Sequence, residues 1–189
     1  FVADFIGNPS INLIEAKAVQ QKKGELDLTF FDGLKASFKF NESIDMGEYH
    51  KKLLDDLEIE AAKEVADKEA GKVDKSNKDL PFKYHIPTAE DVVEQDNVEL
   101  TDEDVVIAVR PEFIQFSDNG AIEGIIYSAM PAGMETTVKI KIGNYLLTGV
   151  IFGGVSFKID QKVKFDFIGN DILVYDRKTA RLIGEGLIK

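Results

Sequence analysis

Cysteine is absent from the chain. That excludes a disulfide framework, a zinc–thiolate site and a thiol nucleophile, and it points to a reducing compartment. Histidine is nearly absent too: His50 and His85 stand far apart, in no ligand-spaced cluster, and read as surface residues. No stretch approaches the roughly 20 apolar residues that a membrane helix needs, and the N-terminus lacks the basic and apolar regions of a signal peptide. The phosphate-cradling pattern G-x-x-x-x-G-K-[ST] does not occur. What remains is a chain of 189 residues with 44% hydrophobic content, enough for one substantial core or two small ones.

Basic charge is in deficit, and the deficit is local. Residues 41–104 carry 20 acidic against 8 basic side chains, a net −12, whereas the other residues carry 14 acidic against 15 basic. A nearly neutral frame interrupted by an acidic block reads as a domain with an insertion. Such a block repels phosphate backbones, so nucleic acid is not an expected partner.

Outside the block the pattern is that of strands. "GELDLTFFDGLKASFKF" sets Leu26, Leu28 and Phe30 on one alternating face and Leu34, Ala36 and Phe38 on another, with Asp32-Gly33 as the tight turn of a hairpin. "TVKIKI" alternates Val138, Ile140 and Ile142 with lysines, and "KVKFDF" alternates Val163, Phe165 and Phe167 with polar residues. Many short alternating strands at close spacing suggest a small closed or partly closed barrel. Inside the block the period changes. Tyr49, Leu53 and Leu57, with Leu54, Ala61 and Val65 alongside, predict an amphipathic helix over 45–70. A second, short helix is expected after Thr88 as N-cap.

Candidate chemistries are few and have plain readings. Asp55-Asp56 falls on a solvated helix face, "GGVSFK" at Gly153 is a tight turn between strands, and "DNGAIEG" lacks the ligand spacing of a calcium loop. No catalytic, cofactor-binding or metal-binding residue stands out.

Two stretches carry a more specific signal. In "VVIAVRPEFI", Pro111 has no backbone N–H and pushes Arg110 toward extended geometry, so Arg110 closes a strand and Pro111 opens a turn or short helix. "FVADFIGNPSINLIEA", at residues 1–16, reads as the end of a helix leaving through Gly7 and Pro9 into a strand. The two in this order resemble the regulatory C-terminal region of the ATP-binding subunits of ABC importers. There the first follows the nucleotide-binding domain and the second is the "RPE" strand. "GAIEGIIYSAMPAGMETTVKIKIG" and "KVKFDFIGNDILVYDRKTARLI" continue the resemblance, which covers residues 1–40 and 98–186. The "GNPSIN" form, with Pro9 and Asn12, is similar to the carbohydrate importers of maltose and glycerol-phosphate type. Residues 44–96 depart from it.

The resemblance implies a mainly β fold: an OB-like antiparallel barrel of the TOBE type over 1–43 and 97–189, with an acidic, mainly helical insertion over 44–96, α+β overall. It implies a regulatory and dimerisation module cut from an ATPase whose phosphate loop lies upstream, so that ATP and magnesium belong to that missing domain and this chain hydrolyses nothing. The implied partners are a second copy of the subunit, the transporter's membrane subunits and a regulatory protein. The implied place is cytoplasmic, peripheral to the membrane. Arg110, Pro111 and Glu112 would be architectural or at a subunit interface, with Arg110 bridging a strand end to a carboxylate and Glu112 capping the turn. Pro9, Asn12 and Leu13 would form an exposed partner surface. The competing expectation is a stand-alone barrel for a small oxyanion such as molybdate. That needs donors in the strand turns, where "AMPAGMETT" offers Thr136 and Thr137 with only Lys139 nearby. A third, an OB-type nucleic-acid binder using Lys158, Lys162 and Lys164, is opposed by the overall acidity.

Overall fold

The computed structural model describes residues 9–69, 86–89 and 99–189. Strand β1 (Asn12–Lys22) pairs antiparallel with β2 (Glu25–Phe30), which pairs with β3 (Leu34–Phe40). The β2–β3 turn is built from three consecutive residues with positive φ: Phe31 at 46°, Asp32 at 59° and Gly33 at 113°. Gly33 adopts this freely, while a bulky residue such as Phe31 does so only under constraint. The constraint is packing, because the buried Phe31 ring meets Phe30 at 5.0 Å and Tyr145 at 5.5 Å between ring centres.

Strand β4 (Asp104–Val109) pairs with β1 on one side and with β10 (Ile172–Asp176) on the other. Strand β11 (Leu182–Ile188) joins β10 to β3, and the ring closes as β1-β2-β3-β11-β10-β4. The fold is therefore mainly β, an OB-like barrel with a helical insertion, as the resemblance implies. "VVIAV" lacks alternation because every residue of β4 is buried: Val105, Ile107 and Val109 face the main core, while Val106 and Ala108 pack with Leu13 in a smaller cluster. The barrel interior holds Ile14, Leu26, Leu28, Phe38, Ile172 and Val174, each almost fully enclosed. Burying such side chains contributes about 1.5–3 kcal/mol apiece. At Gly186 the strands approach so closely that a Cβ would run into the Lys39 backbone, with a Phe38 ring carbon at 2.9 Å.

The remaining strands form a second sheet rather than joining the first. β5 (Ile114–Phe116), β9 (Lys162–Phe167), β6 (Ile122–Ala132), β7 (Glu135–Ile142) and β8 (Tyr145–Phe152) lie side by side in that order, all antiparallel. Ile126, Val138, Ile140 and Phe165 are its fully buried residues, and they continue the barrel's apolar cluster without a break.

The insertion supplies helix α1 (Met46–Glu69), close to the expected 45–70. Asp45 caps it, its Oδ1 accepting the Glu48 N–H at 3.1 Å. Gln20 of β1 fastens the entry: its amide donates to the Ile44 carbonyl at 2.9 Å and accepts the Met46 N–H at 2.8 Å. Met46 and Leu53 are buried, but the apolar stripe outlasts the surface that covers it. Leu54 and Val65 are exposed, and Leu57 is at the margin. Thr88 forms an isolated bridge with Tyr145. The rest of the expected second helix, the stretch at 1–8 and His85 lie outside the described residues.

Candidate functional site

The corner at Arg110 forms as its sequence dictates. Arg110 is extended (φ −67°, ψ 144°) and precedes a single 3-10 turn, Pro111–Phe113, closed by the Phe113 N–H donating to the Arg110 carbonyl at 2.9 Å. Pro111 is buried, and the turn carries the chain from β4 of the barrel into β5 of the second sheet. Arg110 and Glu112 approach each other at 3.9 Å, both largely exposed, which is worth little. The carboxylate that Arg110 approaches is that of Glu112 in the turn itself, and the Arg110 side chain makes no capping hydrogen bond to that turn.

Asn12 and Leu13 are not an exposed surface. Leu13 is buried in the small outer cluster, and Pro9 is half-buried. The Asn12 side chain is a clamp between the two sheets. Its Nδ2 donates to the Val109 carbonyl at 3.2 Å and to the Thr148 carbonyl at 2.8 Å, while its Oδ1 accepts the Thr148 N–H at 2.7 Å. A primary amide presents the same donor and acceptor as a peptide, so Asn12 serves the open edge of β8 as a neighbouring strand would. The same edge is served at its start by residues 87–89: the Leu146 N–H donates to the Pro87 carbonyl at 2.9 Å and the Ala89 N–H to the Asn144 carbonyl at 2.8 Å. Nothing in the local sequence signals the role of Asn12, since Thr148 is 136 positions away.

Charged groups gather where β1, β4 and the β10–β11 turn meet. Buried Asp104 accepts Lys17 Nζ at 2.6 Å, the Thr101 N–H at 2.7 Å and the Thr101 hydroxyl at 2.8 Å. Burial alone would raise its pKa, but the bonds from Lys17 and Thr101 together outweigh it and hold the carboxyl below its ordinary value. Arg177 pairs with Glu15 and stands 3.8 Å from Asp104. Buried Asp176 accepts both the N–H and the hydroxyl of Thr179 at 2.7 Å, which shapes the β10–β11 turn.

Helix α1 is seated on that turn. Arg181 reaches Glu60 at 2.7 Å and Asp56 at 3.8 Å, so one of the two neighbouring aspartates is paired. His50 is not a surface residue: its enclosed Nε2 lies 4.0 Å from Asp176 without a hydrogen bond. The enclosed Tyr49 hydroxyl, beside Thr179, also lacks a well-formed hydrogen bond. Burial, together with the Asp176 charge, pushes Tyr49 up to about 12 despite the opposing influence of Arg181 and Thr179. These contacts fix α1 against the β10–β11 turn.

Two surface features of the second sheet complete the picture. The β6–β7 tip exposes Met130 and Met134, with Phe152 beside it on β8, an exposed apolar cluster. Just beyond this turn, in β7, Thr136 is buried, its hydroxyl donating to the Val155 carbonyl at 3.5 Å. A cleft of about 770 Å³ opens among β5, β6, β7 and β9. Phe116, Phe157, Lys141, Lys162 and Lys164 are in its wall.

Among the described residues no group of three or more His, Asp or Glu is placed to hold a metal ion, and no helix is long and apolar enough to cross a membrane. No protein-family model matches the chain, and no curated protein matches it.

Proposed function

We propose that this chain is a regulatory and subunit-pairing barrel, the C-terminal module of the ATP-binding subunit of an ABC importer, of the carbohydrate-transporting type. One observation carries the reading. The two stretches that resemble that family, "GNPSIN" and "VVIAVRPEFI", are bonded neighbours in space: Asn12 pairs in register with Val109, and its amide donates to the Val109 carbonyl one residue before Arg110-Pro111. The corner and the clamp together set the second sheet against the barrel. Residues that resemble a family in sequence order thus share one architectural job, which supports the resemblance beyond its letters.

On this reading the module works by shape. A rigid pair of β units holds two subunits together while upstream motor domains open and close, with ATP and magnesium bound in those domains and the membrane subunits contacted through them. The complex is cytoplasmic and peripheral to the membrane. Sedimentation velocity of the chain over a concentration series tests the pairing, and a phosphate-release assay with ATP and magnesium tests the chemistry. The expected results are a reversible dimer and no hydrolysis. A chain that hydrolyses ATP, or that stays monomeric throughout, contradicts the proposal.

A further inference from the structure

The cleft of the second sheet holds two lysines that form no ion pair among the described residues. Ile125 in the middle of β6 is paired in register with Lys141 of β7 on one side and Lys162 of β9 on the other. Directly paired residues project to the same side of a sheet, so the two ammonium groups rise on either side of Ile125, their backbones about 10 Å apart by the spacing of adjacent strands. Two positive charges so arranged repel one another, and a sheet can place an opposite charge at the position directly paired with such a lysine. The next row along does so: Lys164 meets Glu123 at 3.2 Å. Among the described residues neither Lys141 nor Lys162 takes part in an ion pair, and Lys141 is half-buried. The uncompensated row lies within the wall of the cleft.

The same cavity has an apolar aromatic side. Phe116 and Phe157 both line it, their rings 5.0 Å apart. A volume of about 770 Å³ falls within the range of small-molecule clefts. Lysine is a mobile point charge suited to phosphate, and each stem is long enough for both ammonium groups to meet over Ile125.

We propose that this cleft binds a small organic phosphate, with its phosphate between Lys141 and Lys162 and an aromatic or apolar body against Phe116 and Phe157. The site is independent of the pairing role and would persist in a monomeric chain. It is also distinct from the β6–β7 turn, none of whose residues line the cleft. The Asp118 carboxylate in the lining, with Glu123, leaves a small net positive charge, enough to attract a compact anion but opposed to a polyanion by the acidity of the rest of the chain.

The test uses the full chain, with phenyl phosphate as probe and inorganic phosphate, phenol and a short oligothymidylate as comparisons, read by isothermal titration and by amide chemical-shift changes. Phenyl phosphate is expected to bind saturably and to shift the amides of Gly124, Gly143 and Lys162, with phenol and inorganic phosphate each at least about tenfold weaker. Lys141→Ala/Lys162→Ala should weaken phenyl phosphate by about tenfold or more, while Lys35→Ala/Lys39→Ala, on the barrel, leaves it unchanged. Phe157→Ala should bring phenyl phosphate down to the affinity of inorganic phosphate. Should Phe157→Ala fail to fold, the comparison between the two ligands on the unmodified chain still decides. No saturable binding, equal binding of the two phosphates, binding unaffected by the double lysine variant, or tighter binding of the oligothymidylate would each overturn the proposal.

Discussion

Replacing Asn12 by alanine tests the join between the sheets at its most concentrated point. The amide makes three bonds, to the Val109 carbonyl at 3.2 Å, the Thr148 carbonyl at 2.8 Å and the Thr148 N–H at 2.7 Å. Alanine leaves all three backbone groups behind. Each buried polar group left unpaired costs about 1–3 kcal/mol, but Thr148 is only half-buried, so water restores part of the loss at two of them. The expected destabilisation is therefore about 2–4 kcal/mol, a large share of the ~5–15 kcal/mol that holds a domain of this kind together. Asn12→Asp sharpens the reasoning: it keeps the acceptor for the Thr148 N–H but turns a carboxylate toward two carbonyl oxygens, and should cost at least as much. Urea unfolding measures both through the midpoint at unchanged slope, and hydrogen exchange reads the Thr148 amide directly. If Asn12→Ala lies within about 0.5 kcal/mol of the parent chain and Thr148 keeps its protection, the clamp is not what joins the sheets.

Three further expectations follow from particular contacts. Gly186→Ala drives a methyl into the Lys39 backbone where β11 meets β3, and should cost about 1–3 kcal/mol or more in urea unfolding; an unchanged midpoint would mean the barrel closes differently. Asp104 is held below its ordinary value, so its contribution is present above the unfolded-state value near ~3.9 and lost as pH falls through the lower folded value. The stability gap between the parent chain and Asp104→Asn should thus be widest near neutrality and shrink in acid, and a gap independent of pH would contradict the pairing with Lys17. Tyr49, raised to about 12, stabilises the fold fully below pH ~10, the value in the unfolded chain, and loses that contribution as pH climbs toward its folded value. Subtracting the ultraviolet titration of Tyr49→Phe from that of the parent should reveal one phenol ionising near the upper value; one ionising at the ordinary value would place Tyr49 outside the helix seat.

Local rules made much of the fold readable. The alternation of Leu26, Leu28 and Phe30, broken at Asp32-Gly33, specifies a hairpin because period and turn chemistry both act within a few residues. The helix bounds were legible for the same reason. The partition into two sheets was not. Val163, Phe165 and Phe167 alternate just as Leu26, Leu28 and Phe30 do, and alternation does not name the strand that a segment pairs with. Periodicity also overstated burial on α1: Leu57 and Val65 keep the helical spacing, yet the barrel surface ends before them. Arg110 and Pro111 announced a corner, whereas Asn12 read as exposed because its partner Thr148 lies at the far side of the chain. Lys141 and Lys162 belong to different strands, and only the insertion of β6 between them makes a site of the pair.

The central claim is that this chain pairs subunits. Sedimentation velocity from micromolar to submillimolar concentration tests it most directly. A reversible monomer–dimer equilibrium that shifts with concentration, unchanged by Lys141→Ala/Lys162→Ala, is the expected result. A single monomeric species across the whole series would contradict it, leaving the barrel without the role proposed here.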